Sequence, residues 1–355
     1  MDRLRLCFSD LRADAILVTH LPNILYLTGF SGSAALLLVQ PGRSVLFTDS
    51  RYTFQARDEV QGARVQIAKG PLLVSAAAAI STISRRGRIS VAYSPTQMTV
   101  AQQQSLARLV GRRLHWVPAA GLVEKLRAIK DSGELSLMRG AAELISKVFC
   151  DSVRTIKPGV TELDVAAEIE YRMKGLGASG PSFETIVASG ARSAWAHACP
   201  TSKLLRKNDL VVLDQGAILR AYCSDMTRTV FLGRASAEVR RMYRAVLQAQ
   251  EAAKSAIRPG VLAQAVDAAA RQVLKKSGLA RIFTHSTGHG LGLEVHEAPR
   301  LGRGDQTVLE EGMVVTVEPG VYVEGFGGIR IEDDVVVTSK GADDLTSAPR
   351  ELLEL

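Results

Sequence analysis

Residues 285–297 read His-Ser-Thr-Gly-His-Gly-Leu-Gly-Leu-Glu-Val-His-Glu and form the most informative segment of the chain. Three of the six histidines of the protein lie in it, at His285, His289 and His296. The first two have the spacing of a zinc-binding helix, but Ser286 stands where such a helix needs Glu, and the interleaved glycines would break a helix. The glycines also fail to match the Rossmann and Walker phosphate-binding patterns. Clustered histidines among glycines therefore predict a catalytic or metal-binding segment whose backbone passes close to a ligand or another strand.

Four acidic residues lie in or directly after apolar, β-branched runs of the sequence: Asp214, Asp225, Glu318 and Glu332. A carboxylate at an apolar strand position costs free energy unless it is paired or bound to a metal ion. Each acid alone is better explained as a solvent-exposed charge at a strand end. Together with one histidine, the four acids make a ligand set for two divalent ions, and such a set suits Mn²⁺, Co²⁺, Fe²⁺ or Zn²⁺. Because residues i and i+2 share a strand face, Arg330 and Glu332 are expected to point together.

The length of 355 residues favours two domains. The first 120 or so residues have a mixed α/β pattern with few residues suited to metal binding or acid–base chemistry. Strands are predicted at Ala15–Val18, Ala34–Val39 and Ser44–Thr48, and helices at Ala76–Ile83 and Gln102–Leu109. Helical spacing continues over Glu124–Lys147, so the domain boundary is placed between residues 123 and 124.

Beyond that boundary, helices alternate with short β-branched strands, which is typical of an α/β (α+β) domain. The predicted helices are Glu134–Ile156, Glu162–Leu176, Ala237–Ile257 and Gln264–Lys276. The predicted β-rich segments, made of short strands of which some are expected to be antiparallel, are Leu210–Leu213, Ala217–Phe231, Met313–Val317 and Ile329–Thr338. The stretch 157–161 (KPGVT) resembles 258–261 (RPGV), and each joins two predicted helices. This similarity indicates an internal duplication, with chance as the alternative.

Composition excludes several classes of protein. The net charge of +8 would suit a nucleic-acid partner, but basic residues are scattered, and pairs such as Arg85-Arg86, Arg112-Arg113 and Arg240-Arg241 are expected to be solvated surface. The four cysteines have no C-x-x-C spacing, which favours a reduced, cytoplasmic protein. No run of eighteen apolar residues and no signal-peptide pattern is found in the sequence, so no membrane association is expected.

The phrases that carry these residues resemble the metallopeptidases with the pita-bread fold, which include prolidases, aminopeptidase P and methionine aminopeptidases. The matching phrases are residues 211–217, 224–229, 287–297, 316–320 and 329–334. The looser phrases 21–30 and 126–130 are similar to the creatinase-type N-terminal domain and its connecting helix. The resemblance implies a small mixed α/β creatinase-like domain over residues 1–123 and a pita-bread catalytic domain over residues 124–355.

The resemblance also implies an activity and a metal site. The expected enzyme is an Xaa-Pro dipeptidase or an Xaa-Pro aminopeptidase, in which a hydroxide bridging two divalent ions attacks the bond before proline. Mn²⁺ is the expected ion, with Co²⁺, Zn²⁺ and Fe²⁺ as alternatives. The implied ligands are Asp214, Asp225, His289, Glu318 and Glu332. Among these, Asp214 would bind one ion through both oxygens, and Asp225 and Glu332 would bridge the two ions.

Further roles follow from the same resemblance. Glu318 would transfer a proton from water to the leaving amine, and His197 and His296 would contact the substrate carbonyl or its oxyanion. His285 and Arg330 would line the proline pocket or bind the substrate carboxylate, and Thr227 would support the ligand Asp225. His197 is followed by Ala198-Cys199-Pro200, whereas many relatives have proline or glycine soon after this histidine. Cys199 is interpreted as a bystander, with thiol sensitivity as the alternative.

Several alternatives stay open from the sequence. The N-terminal domain and Arg330 disfavour methionine aminopeptidase, and retention of all five ligands disfavours the metal-free creatinases. The alternative function is a catalytically weak or inactive pita-bread protein that binds peptides or proteins. The residues do not decide between dipeptidase and aminopeptidase, and a homodimer is implied only by the resemblance. The expected substrates are Xaa-Pro peptides.

Overall fold

In the computed structural model, which describes residues 1–84 and 87–355, the chain divides into the units Met1–Arg127 and Ala128–Leu355. The sequence places its boundary four residues earlier, inside the helix Leu122–Ala128. The Arg85-Arg86 pair lies outside the described residues. Among the described residues, no helix is both long and apolar enough to cross a membrane.

The described part of the first unit contains a mixed sheet with strand order β4-β3-β2-β1-β5-β6. Its strands are β1 (Ala15–Val18), β2 (Ala35–Val39), β3 (Ser44–Thr48), β4 (Arg64–Ile67), β5 (Ile89–Tyr93) and β6 (Leu114–Pro118). The helices are α1 (Asp2–Arg5), α2 (Phe8–Leu11), α3 (Leu21–Thr28), α4 (Thr53–Glu59), α5 (Leu72–Ser81), α6 (Val100–Val110) and α7 (Leu122–Ala128). Alternate residues of β1 enter two different apolar clusters, one on each face of the sheet. Both faces are therefore covered, which explains why β1 and β2 read as continuous apolar runs.

The second unit has four long helices: α8 (Ser132–Ser152), α9 (Glu162–Gly175), α10 (Ala237–Ala256) and α11 (Ala263–Lys276). Its strands are β7 (Gly180–Pro181), β8 (Ile186–Ser189), β9 (Leu210–Gln215), β10 (Ala217–Leu219), β11 (Tyr222–Cys223), β12 (Met226–Phe231), β13 (Gly288–Gly290), β14 (Glu297–Leu301), β15 (Val314–Val317), β16 (Gly320–Val323), β17 (Gly327–Arg330), β18 (Asp333–Thr338) and β19 (Gly341–Asp344). Their sheets run β12-β9-β8, β11-β10-β7, β14-β13-β15-β18-β19 and β16-β17. One apolar cluster joins α8 and α9 to β9 and β12, and another joins α10 and α11 to β15 and β18.

One predicted helix is divided in the structure, and two predicted β-rich segments each contain more than one strand. The helix predicted over Glu124–Lys147 is wrong as one element, because α8 begins after Asp131, whose side chain accepts from the backbone N–H of Glu134 in a capping box. The β-rich segment Ala217–Phe231, expected to consist of short strands, contains the three strands β10, β11 and β12. The β-rich segment Ile329–Thr338 is interrupted between β17 and β18, so Glu332, which was expected in a strand, lies in the connection.

The two similar turns have the same geometry in the structure. Gly159 and Gly260 both have positive φ, at 95° and 86°. The N–H of Gly159 donates to the carbonyl of Leu205, and the N–H of Leu205 donates to that of Val160. Gly260, Leu309 and Val261 form the same pair of hydrogen bonds in the second copy. This repeat supports the internal duplication, which stays a prediction.

Candidate metal centre

The five predicted ligands lie in strands or directly beside them, and all five line one cavity of about 240 Å³. Asp214 lies in β9 opposite Thr227, and His289 lies in β13. The other three ligands flank strands: Asp225 precedes β12, Glu318 follows β15, and Glu332 connects β17 to β18. The residues of β9, β12 and β15 are buried, so packing of these strands positions the carboxylates that lie in or beside them.

The imidazole of His289 presents an unprotonated nitrogen to the centre of the cavity. Its Nδ1 lies 3.0 Å from the carbonyl oxygen of Gly290, which can only accept, so Nδ1 carries the proton. Nε2 lies 3.7 Å from Asp225 Oδ2 and 3.5 Å from Glu318 Oε1. Atoms of Asp225, His289 and Glu332 that suit metal binding all lie within 4.8 Å of one another. The lone pair of His289 Nε2 therefore faces the carboxylates of Asp225 and Glu318, and a cation between these three groups would stabilise the arrangement.

The electrostatics of the carboxylates lead to the same conclusion. Burial, followed by the charges of neighbouring carboxylates, raises the pKa values of Asp225 and Glu332 well above their usual range. Burial raises the pKa of Glu318 to about 7, although Arg330 acts in the opposite direction. Asp214 Oδ1 and Asp225 Oδ1 are buried without a hydrogen-bond partner in the protein. Crowded carboxylates with unpartnered oxygens fit divalent cations, which would favour the ionised forms.

Arg330 lies beside this ligand set, and all three nitrogens of its guanidinium group form hydrogen bonds within the protein. Its Nη2 donates to Asp214 Oδ2 at 2.6 Å, and its Nε donates to Thr227 Oγ1 at 3.0 Å. Its Nη1 donates to the Tyr322 hydroxyl at 2.8 Å and to the Ala196 carbonyl at 3.1 Å. Arg330 therefore neutralises one side of Asp214 and leaves Oδ1 facing away from the ion pair.

Tyr322 is a residue that the sequence interpretation missed. Nδ1 of His285 lies 2.8 Å from the Ser286 carbonyl oxygen and so carries the proton, and its Nε2 then accepts from the Tyr322 hydroxyl at 3.0 Å. A continuous chain of hydrogen bonds thus runs from His285 through Tyr322 and Arg330 to Asp214. The available signal was the position of Tyr322 in a short apolar strand just after Glu318-Pro319.

A second lobe of about 340 Å³ adjoins the metal cavity. We call it the substrate lobe, because all four predicted substrate residues line it: His197, His285, His296 and Arg330. His197 and His296 are exposed, and the ring centroid of His296 lies 4.4 Å from that of His289. The first cavity is also lined by Phe183, Glu184, Ile186 and Cys199, and Cys199 is exposed there.

Several neutral and acidic groups orient the ligands. The hydroxyl of Thr227 donates to Glu332 Oε2 at 2.6 Å, so Thr227 supports Glu332 in addition to its expected proximity to Asp225. Asp334 Oδ2 accepts from the backbone N–H of Asp225 at 2.9 Å. Thr316 Oγ1 accepts from the backbone N–H of His289. These contacts fix the ligands in the way that outer partners of metal sites do.

Comparison with known proteins gives consistent matches over the whole chain. The model of metallopeptidase family M24 matches residues 136–339, and that of the creatinase/prolidase N-terminal domain matches residues 1–129. The peptidase YqhT of Bacillus subtilis is 40% identical over 355 residues, covering 100% of this chain and 99% of that protein. The solved Xaa-Pro dipeptidase from Bacillus anthracis is 37% identical with a TM-score of 0.95, covering 100% and 98% of the two chains. The solved X-Pro aminopeptidase from Thermotoga maritima is 35% identical with a TM-score of 0.90 and full coverage of both chains.

Proposed function

Because the chain belongs to metallopeptidase family M24 and carries the creatinase/prolidase N-terminal domain, we propose that it is a metal-dependent peptidase that hydrolyses the bond between an N-terminal residue and proline. The names of the Bacillus anthracis and Thermotoga maritima structures support the proline specificity. One of these structures is named a dipeptidase and the other an aminopeptidase, so the proposal covers cleavage of Xaa-Pro dipeptides and of longer Xaa-Pro peptides.

The observation that carries the proposal is the arrangement around His289. Its unprotonated Nε2 faces the carboxylates of Asp225 and Glu318, while Asp214 and Asp225 each keep an unpartnered buried oxygen. We propose that Asp214, Asp225, His289, Glu318 and Glu332 hold two divalent ions, with Mn²⁺ as the first candidate. Divalent ions bound there would lower the pKa of water and polarise the substrate carbonyl.

The other residues of the site would bind the substrate and move protons. Glu318 lines both the metal cavity and the substrate lobe, which suits transfer of a proton to the leaving amine. His197 and His296 line the same two spaces, and their ring N–H groups would stabilise negative charge on the carbonyl oxygen. Arg330 and His285 line the substrate lobe, where the proline ring and a carboxylate would lie.

The test is metal-dependent cleavage by protein that has been stripped with a chelator. Xaa-Pro dipeptides and Xaa-Pro-Yaa tripeptides are incubated with and without Mn²⁺, Co²⁺ or Zn²⁺, and release of the first residue is measured. Cleavage of the dipeptide alone indicates a dipeptidase, whereas cleavage of the tripeptide indicates an aminopeptidase. No cleavage of either peptide with metal demonstrably bound would contradict the proposal and favour a peptide-binding protein.

Replacement of one ligand tests the site itself. Asp225→Asn removes a charge without changing side-chain size, and we expect activity to fall by more than about 100-fold, since residues that merely support metal ligands already contribute roughly 10–100-fold. The matched control is Asp343→Asn, the same change at an exposed position of β19. Equal activity of the two variants, or bound metal unchanged in Asp225→Asn, would remove Asp225 from the ligand set.

Two finer proposals rest on the sequence and the family. A homodimer is expected, and light scattering on the purified protein would show it as twice the chain mass of 38.1 kDa. A cytoplasmic location is expected from the cysteine pattern, and cell fractionation tests it.

A further inference from the structure

A third cavity, of about 520 Å³, adjoins the substrate lobe and is rich in arginine. Arg271, Arg281, Arg300 and Arg303 line it, and we call it the arginine cavity. It shares His285, Ser286 and Arg300 with the substrate lobe. A peptide whose proline occupies the substrate lobe would therefore direct its next residue towards the arginine cavity.

Charge in the arginine cavity is largely uncompensated. Arg271 is neutralised by the buried Asp267 at 2.6 Å and holds the carbonyl groups of Phe283 and His285. Arg281, Arg300 and Arg303 are exposed and form no ion pair with any acid among residues 1–84 and 87–355. The side chain of the nearby Asp305 accepts instead from the backbone N–H groups of Arg300 and Thr307. The three guanidinium groups of Arg281, Arg300 and Arg303 outnumber the single nearby carboxylate of Asp305, so the cavity has a positive electrostatic potential.

The strand pairing places the arginine cavity close to the metal ligands. Arg300 in β14 is the cross-strand partner of His289 in β13. Such partners have Cα atoms roughly 4.5–5.5 Å apart and side chains on the same face of the sheet. A Cβ atom on Gly302 would lie 3.1 Å from Arg300 Nε and 3.2 Å from Ser286 Cβ, so glycine there leaves room for the Arg300 side chain to lie across Ser286. An extended peptide advances roughly 3.3–3.6 Å per residue, and because the two cavities share His285, Ser286 and Arg300, the residue after proline is the one that would enter this space.

We propose that Arg281 and Arg303, with Arg300 at the shared rim, bind the side-chain carboxylate of an acidic residue that follows proline. The enzyme would then cleave Xaa-Pro-Glu and Xaa-Pro-Asp sequences in preference to neutral analogues. Guanidinium groups pair with carboxylates through two parallel hydrogen bonds, which an amide side chain cannot reproduce. This inference rests on the proposed Xaa-Pro peptidase function and adds a preference for the residue after proline.

The experiment compares Leu-Pro-Glu-amide with Leu-Pro-Gln-amide as substrates of the metal-loaded full chain. Both amides lack a terminal carboxylate, so the side chain is the sole difference in charge. We expect kcat/KM for the Glu peptide to exceed that for the Gln peptide by about tenfold at low salt, and the ratio to fall as ionic strength rises. In the double variant Arg281→Gln/Arg303→Gln, the ratio should fall to near one.

The matched control is Arg241→Gln/Arg244→Gln, which removes two exposed charges from α10 in the same unit. This control should keep the tenfold ratio. A ratio near one in the unmodified enzyme, or a ratio that persists in Arg281→Gln/Arg303→Gln, overturns the inference. Cleavage of Leu-Pro but of neither amide also overturns it while the proposed function stands, whereas no cleavage of any of the three peptides contradicts the proposed function.

Discussion

At the scale of single residues, His285 lines the substrate lobe and is connected to the proposed metal ligand Asp214 through hydrogen bonds that depend on its protonation state. Its Nδ1–H donates a hydrogen bond to the Ser286 carbonyl oxygen, and its Nε2 accepts one from the Tyr322 hydroxyl. A second proton on Nε2 would prevent it from accepting the hydrogen of the Tyr322 hydroxyl and would place a positive charge near Arg330. Burial, reinforced by the charge of Arg330, accordingly lowers the pKa of His285 to about 4.

This low pKa predicts a loss of stability in acid. In the unfolded chain His285 takes up its proton near pH 6.5, so between pH 6.5 and about 4 the unfolded state binds one proton more than the folded state. The contribution of His285 is therefore fully present above pH 6.5 and is lost as the pH falls to about 4, with a slope of about 1.4 kcal/mol per pH unit.

Urea unfolding of metal-free protein at several pH values measures this slope. The variant His285→Gln should lose it, so the stability difference between the two proteins should change between pH 6.5 and 4. A difference that stays constant over this range would show that His285 does not titrate as its surroundings require. Other acid-sensitive groups, such as His289, are common to both proteins and cancel in the comparison.

At the scale of secondary structure, the glycines of β13 allow two backbones to approach beside His289. A Cβ atom on Gly288 would lie 1.9 Å from the carbonyl oxygen of Thr316, and one on Gly290 would lie 2.3 Å from that of Ala298. Neither obstacle is a flexible side chain. The glycine pattern in residues 285–297 thus reflects packing between strands rather than phosphate binding, as the sequence indicated in general terms.

We predict that Gly288→Ala destabilises the protein by about 3 kcal/mol or more, because backbone must move to admit the methyl group. Metal affinity should fall as well, since His289 would shift with the strand. Gly175→Ala is the control, because its position at the end of α9 has no atom within 4 Å of the new Cβ. Chemical denaturation and metal titration of both variants measure the effects. Wild-type stability in Gly288→Ala would show that the close approach of β13 and β15 is not required.

The sequence predicted secondary structure best where the spacing of apolar residues by itself decides between helix and strand. The strand Ala15–Val18 and the helix ending at Lys276 were predicted at those positions. The division between α7 and α8 was missed although Asp131 and Glu134 form a recognisable capping box, because helical spacing of apolar residues continues through it. Tyr322 and Arg300 were missed for a different reason. Their roles depend on which strands are neighbours, and strand pairing between distant segments is not encoded in local periodicity.

At the scale of the whole molecule, the proposed metal ligands are distributed over two helix-and-sheet parts of the second unit. Asp214 lies one residue before the end of β9 in the part covered by α8 and α9, and Glu318 follows β15 in the part covered by α10 and α11. Asp225 and Glu332 each precede the strand that pairs with it, β12 and β18. The motifs predicted the ligands, whereas their common position at one cavity depends on how the strands of the two helix-and-sheet parts are packed.

All five proposed ligands and the residues that orient them lie in Ala128–Leu355, a unit with its own apolar clusters. We therefore predict that a fragment of residues 128–355 folds cooperatively and binds Mn²⁺ with a Kd within about tenfold of the full chain. Bound metal should raise its unfolding free energy by about 2.7 kcal/mol at an ion concentration of 100 times Kd. Calorimetric titration and thermal unfolding measure both quantities, with the Asp225→Asn fragment as the control that should not respond. A fragment that folds without binding Mn²⁺, beside a full chain that binds it, would mean that residues of the first unit complete the metal site, and the ligand set would then have to be enlarged.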